Sequence, residues 1–188
     1  MKNFKSIALA LVAFVSFATT AQTGKKVDAS KSTINWVGKK VTGSHEGTIT
    51  LKEGTLIFKG KKLVGGNFTV DMTTINTTDI DRKGKANLDG HLKSDDFFGV
   101  EKFPTATLVF KSIGEKGNGV YAVTADLTIK GKTESIKFDL TVAGNTATTT
   151  LKVDRTKYDI KYGSGSFFSD LGDKTINDEF ELTVKLAF

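Results

Sequence analysis

Apolar residues recur at every second position through most of this chain, and that period restricts it to β-structure. Tyr121, Val123, Ala125, Leu127 and Ile129 form one unbroken series. Ile136, Phe138, Leu140 and Val142 form a second, and Phe180, Leu182, Val184 and Leu186 a third. Shorter runs join Ile34 to Trp36, Ile49 to Leu51, Leu56 to Phe58, Gly66 through Phe68 and Val70 to Met72, and Leu151 to Val153. Successive side chains of a strand point to opposite faces, so each run predicts a strand with one buried face. Turn-forming residues break the runs at Glu53-Gly54, Gly60-Lys61, Gly114 to Gly119, Lys130-Gly131-Lys132 and Gly144-Asn145. Short strands at this spacing predict an all-β antiparallel meander, closed as a barrel or stacked as a sandwich.

Two stretches depart from the alternation. Between about Thr77 and Pro104, Leu88, Leu92 and the Phe97-Phe98 pair fall near helical spacing, which predicts a short helix ending before the proline. Asp154 to Asn177 is rich in Gly, Ser and Asp and carries a second aromatic pair, Phe167-Phe168. Loops this long in a compact domain are usually functional. Both could lie over one end of a barrel, with one or two short helices in them.

Ahead of the strands, Lys2 and Lys5 precede the apolar stretch Ile7 to Ala18, which leads into Thr19-Thr20-Ala21. Residues 1–21 therefore read as a secretory signal peptide cut after Ala21, and the protein is expected in the periplasm or secreted. Residues 22–188 are enough for one domain with a sizeable core. No stretch in them is long and apolar enough for a membrane-spanning helix. The chain has no cysteine, so an exported fold of this kind depends on its core alone and has no thiol chemistry. Of the net charge of +6, Lys2 and Lys5 carry two. The other lysines are scattered and form no basic face, so nucleic acid is not an expected partner.

Few motifs carry chemistry. Asp79-Ile80-Asp81-Arg82-Lys83-Gly84 begins like a calcium loop, but Lys83 and Gly90 stand where oxygen ligands are needed. Gly163-Ser164-Gly165-Ser166 does not supply the G-x-S-x-G elbow of a nucleophilic serine. There is no dinucleotide fingerprint, P-loop or H-E-x-x-H zinc motif. The only histidines are His45 and His91. No metal or cofactor is expected, and the protein reads as a non-enzyme.

The positive feature is aromatic. Of 14 phenylalanines, 11 follow the leader. They either pack an ordinary core or line a site, and a barrel of about eight strands has room for either.

Several segments, taken in order, resemble the YceI family of lipid- and polyisoprenoid-binding proteins. They are Ser32 to Trp36 with Gly38-Lys39; Gly43 to Gly47; Leu63 to Met72; Leu88 to Phe98 leading into Lys102 to Ala106; Leu127 to Gly131; and Asp154-Arg155 through Phe180. The resemblance implies a lipocalin-like antiparallel β-barrel whose apolar tunnel holds a polyisoprenoid, isoprenoid quinone or fatty chain with its head at the mouth. Carried onto the alternating faces, the tunnel would be lined by Trp36, Phe58, Phe68, Val70, Met72, Phe110 and Phe138. From the loops, Leu92, Phe97, Phe98, Phe103, Phe167 and Phe168 would cover it. His45, His91 and Arg155 are the candidates for the head group; Arg155 could equally sit in an ion pair with a nearby aspartate. The partner implied is a long-chain lipid, bound or carried without conversion; the other readings are an enzyme acting on a lipid-like substrate through His45 or His91 with an Asp or Ser, and a structural or interaction module of the envelope, and assembly into an oligomer stays open.

Overall fold

The computed structural model describes residues 21–188; the expected leader, apart from Ala21, lies outside them. Nine antiparallel strands follow one another: β1 (Gln22–Lys26), β2 (Asp28–Lys40), β3 (Gly43–Lys59), β4 (Lys62–Thr77), β5 (Thr105–Gly117), β6 (Val120–Ile129), β7 (Lys132–Ala143), β8 (Thr146–Asp154) and β9 (Glu179–Ala187). Neighbours in sequence pair with one another from β2 to β9, and β9 closes the ring by pairing with β2. The result is a closed eight-stranded barrel. β1 extends β2 along β3, from Gln22 opposite Lys59 to Lys26 opposite Thr55. The lipocalin-like barrel is therefore the fold, and the sandwich is excluded.

Turn chemistry matches the breaks in most places. The two-residue loops Asn118-Gly119 and Lys130-Gly131 have positive φ at both positions, the mirror-image turn that suits strand twist. Glu53-Gly54 differs from the sequence expectation, because it does not reverse the chain. It lies inside the 17-residue β3, where the register with β4 shifts between Leu51 and Glu53. A Cβ on Gly54 would come within 2.6 Å of the Phe68 ring, so the glycine admits that ring at a bulge.

The long connection after β4 forms one helix, α1 (Arg82–Lys93), which takes in Leu88 and Leu92 as their spacing predicts but ends before Phe97-Phe98, which lie in the turns that follow. Asp81, in the failed calcium motif, caps it by accepting from the Gly84 amide at 2.7 Å. The connection after β8 holds only two 3₁₀ turns, Arg155–Tyr158 and Gly172–Lys174. Both long connections, the β2–β3 hairpin and the Lys130-Gly131 turn lie at one end of the barrel. The opposite end is filled by Leu56, Phe58, Leu63, Tyr121, Val123 and Leu140, all buried.

No residue of α1 is fully buried, so polar contacts hold it. Asp89 accepts from both the amide and the hydroxyl of Thr77, at 2.8 and 2.6 Å. Lys85 bridges Asp89 and Asn76, at 2.6 Å each. Burial pushes the Asp89 carboxyl up, but the bonds from Lys85 and Thr77 outweigh it and hold the pKa below the ordinary 3.8. A carboxyl depressed on folding stabilises above its unfolded pKa, and that stabilisation is lost as pH falls through the folded value. Asp89→Ala should cost about 1–3 kcal/mol, because it leaves the buried Thr77 unpartnered. Amide exchange across α1 should rise in this variant at neutral pH, and in the wild type only in acid below the carboxylate range. Unchanged exchange in the variant would remove Asp89 as the anchor.

Candidate functional site: an apolar cavity open at one end

The barrel encloses a cavity of about 510 Å³, within the usual range for small-molecule sites. Its lower part holds an aromatic layer, with Leu140 and Leu186 lining it as well. Phe68 and Phe110 have ring centroids 5.5 Å apart, and Phe110 and Phe138 6.1 Å. Gly66 makes this layer possible, since a Cβ there would lie 2.8 Å from the Phe110 ring. Above it the wall is aliphatic, with Ile49, Leu51, Leu108, Leu127, Leu151 and Leu182 contributed by different strands. Trp36 lies across Gly47, where a Cβ would come within 2.5 Å of the indole, and donates to the Thr48 carbonyl at 3.2 Å.

Polar groups gather at the mouth. Lys39, Lys40, Ser44 and His45 come from the β2–β3 hairpin, His91 from α1, Asp173, Lys174 and Asn177 from the β8–β9 connection, and Glu179 from the start of β9. His45 Nδ1 lies 3.1 Å from Asp79. A carboxylate only accepts, so Nδ1 carries the proton and Nε2 is left for another partner. His91 Nε2 is 3.5 Å from Asp96. Its ring stands edge-on to Tyr162 and Phe97, at 4.5 and 5.0 Å. The two histidines also share a second groove, with Ile80, Asp81 and Leu88.

Of the residues expected in the tunnel, Trp36, Phe68, Val70, Met72, Phe110 and Phe138 line the cavity from strands, and Leu92, Phe97 and Phe98 from the α1 connection. Phe58, Phe103, Phe167 and Phe168 are not among its lining residues. Phe58 packs on Phe188 at 5.7 Å, in the filled end. Phe103 covers Gly131, whose Cβ would be 3.0 Å from its ring. Phe167 and Phe168 are each 50% exposed, on the turn that joins the two 3₁₀ segments, and they form no inner lid. The aliphatic wall and Tyr162 were missed; alternation marked most of the wall as buried, but nothing marked it as lining a space.

Arg155 reaches the cavity wall, but as part of the frame. It is buried, and its Nε, Nη1 and Nη2 donate to the carbonyls of Asn177, Ile160 and Ile176 at 2.8–3.0 Å. Nη2 also lies 3.6 Å from Asp178. A guanidinium engaged on so many sides is a brace for the β8–β9 connection, and its contact with Asp178 is the ion pair that stood as the other reading of this residue. The serines are likewise structural. Ser164 is fully buried, and Ser166 Oγ donates to Asp178 at 2.6 Å. Among the described residues no three His, Asp or Glu side chains are grouped as metal ligands. No helix among them is long and apolar enough to cross a membrane.

A family model for the YceI-like domain matches residues 26–188. The chain belongs to the YceI family. It is similar to Protein YceI of Escherichia coli O157:H7, 34% identical over 98 residues, which is 52% of this chain and 49% of the relative. A UPF0312 protein of Shewanella denitrificans is 38% identical over 84 residues, 45% of this chain and 42% of that one. These matches span about half or less of the curated relatives' length. Among solved structures, Burkholderia cenocepacia BcnA aligns with a TM-score of 0.71 at 26% identity, covering 86% of this chain and 99% of that one. A polyisoprenoid binding domain from Saccharophagus degradans, implicated in plant cell wall breakdown, aligns at 0.58 and 16% identity, covering 86% of this chain and 95% of that one.

Replacing Arg155 by Met should cost about 2–4 kcal/mol, since the buried Ile160 carbonyl, the part-buried carbonyls of Ile176 and Asn177, and Asp178 all lose a donor. Thermal unfolding measures the loss. A melting temperature equal to wild type would refute the bracing role.

Proposed function

We propose that this YceI-family protein binds and carries a long-chain amphipathic lipid of the polyisoprenoid type without chemically converting it, outside the cytoplasm. One observation carries the reading: an apolar cavity, floored by three phenylalanines and walled by aliphatic side chains, has its polar groups at the mouth. A polyisoprenoid binding domain with the same fold adds support, and so does the leader-like sequence of residues 1–21. Sheltering a few hundred Å² of hydrocarbon from water contributes several kcal/mol at ~25 cal/mol per Å². The cavity wall offers no directional contacts, so the branched or straight form of the chain matters less than its bulk. The His45–Asp79 pair and neighbouring lysines are where a polar head comes to rest. The serines turned into the β8–β9 connection favour holding over hydrolysis.

Native mass spectrometry of the protein purified gently from its own host, followed by organic extraction, tests this. A stoichiometric isoprenoid or acyl lipid is the expected adduct. Enlarging the floor by Phe138→Trp should lower uptake of a polyprenol severalfold while leaving the fold intact. A clean apo mass together with no uptake of polyprenols, quinones or fatty amides would sink the carrier reading.

A further inference from the structure

The exposed apolar side chains of this barrel are concentrated at its mouth. Val41 is 63% exposed, Phe167 and Phe168 50% each, and Tyr162 46%. The other large hydrophobic residues with comparable exposure among the described residues, Val64 and Val109, stand singly on the outer faces of β4 and β5. Backbone hydrogen bonds stitch the mouth group together. The Val41 amide donates to Thr175, and the Asn177 amide to Lys39. The Ile176 amide donates to Gly163, while the amides of Phe167 and Phe168 donate to Ser164. The hairpin tip and the aromatic loop thus form one edge. Tyr162 belongs to both regions: it lines the cavity and is exposed. An apolar path therefore runs from the outer edge to the interior.

Exposed aromatic side chains beside the opening of an apolar cavity lose free energy to water with no contact inside the fold to offset it. Lysines flank them. Within residues 39–42 and 157–174, Lys39, Lys40, Lys157, Lys161 and Lys174 outnumber Asp159, Asp170 and Asp173. The Lys161 ammonium lies 4.9 Å from the Phe167 ring centroid, an aromatic body capped by a cation. Aromatic groups with basic residues beside them match the boundary between acyl chains and anionic head groups.

We propose that this rim docks on an anionic phospholipid bilayer, with Phe167 and Phe168 entering the head-group boundary and the mouth facing the membrane. The proposal rests on the carrier reading and adds the surface with which cargo is exchanged. Docking removes water from the path between bilayer and cavity, so the chain moves along apolar surface throughout.

Vesicle co-sedimentation tests it, with phosphatidylcholine containing a quarter phosphatidylglycerol compared with phosphatidylcholine alone. The wild type should sediment with the anionic vesicles and less with the neutral ones. Phe167→Ser/Phe168→Ser should lower sedimentation by about tenfold or more, yet take up a polyprenol from detergent solution as the wild type does. Lys40→Gln/Lys174→Gln should weaken binding to the anionic vesicles only. Phe167→Trp reports insertion directly: its emission should move to the blue on addition of vesicles, with the wild type, whose only tryptophan is Trp36, as reference. This single change also covers the case in which the double serine variant loses its fold. Equal sedimentation of wild type and serine variant, or no blue shift, overturns the proposal. So does self-association of the wild type that the serine variant lacks, which assigns the patch to a second copy of the chain. Intact uptake from detergent without vesicle binding overturns docking alone; absent uptake overturns the carrier reading as well.

Discussion

β3 makes the molecule a container. Its first half pairs with β2, from Lys40 opposite Gly43 to Ile34 opposite Ile49. Its other edge pairs with β4 along nearly its whole length. Without the second set the sheet would be open, with β4 as an unpaired edge able to recruit other chains. With it, the circumference is fixed at eight strands, which leaves more interior than a packed core needs. The register shifts between β3 and β4 are part of the closure: Thr48 faces Asn76 and Thr50 faces Asp71. The extra residues of β4 include Met72 and Ile75, both buried, so the bulge turns additional apolar side chains inward where the barrel widens to its mouth.

The interior divides because side-chain size changes along the axis. Toward the closed end, Phe58, Tyr121, Leu56 and Leu140 fill the section, with Lys25 5.0 Å from the Phe188 ring centroid over the outside. Above the layer of Phe68, Phe110 and Phe138, the strands contribute mostly aliphatic side chains, with Trp36 and Phe180 among them, and these leave a space between them. Close packing is the rule for protein interiors. A persistent apolar space therefore has to be held open by something stiffer than its own lining. The closed hydrogen-bonded ring supplies that stiffness, and Arg155 supplies it where the chain leaves the ring between β8 and β9.

Legibility in the sequence followed the same division. Alternation identifies which residues face inward, since the pleat dictates it locally, and Tyr121 to Ile129 reads without error. It carries no information on height. Phe58 and Phe138 look alike in sequence, yet one packs the closed end and the other floors the cavity. α1 was legible from Leu88 and Leu92, but its cap was not, because Asp81 read only as part of a failed calcium motif. The β8–β9 connection was not legible. Whether Phe167-Phe168 turns in or out, and whether Arg155 points to solvent or to carbonyls, depends on contacts between residues far apart in sequence, such as Lys39 with Asn177. Glu53-Gly54 misled because a glycine that admits a neighbouring ring looks the same as one that turns the chain.

The distribution of polarity along the axis sets what such a cavity discriminates. Deep in the barrel every contact is non-directional, so affinity for the chain grows with the apolar area buried until the phenylalanine floor stops it. Additional chain length must then lie at the mouth or fold back, and contributes less. At the mouth the balance reverses. A head group there exchanges water for fixed donors and acceptors, and a mismatch leaves a polar group unpaired at a cost comparable to several buried methylenes. In the carrier proposed above, selection by chain would therefore be graded and selection by head sharp. Lys40, His45 and Lys174 lie within that sharp zone, whereas the aromatic layer acts only through volume.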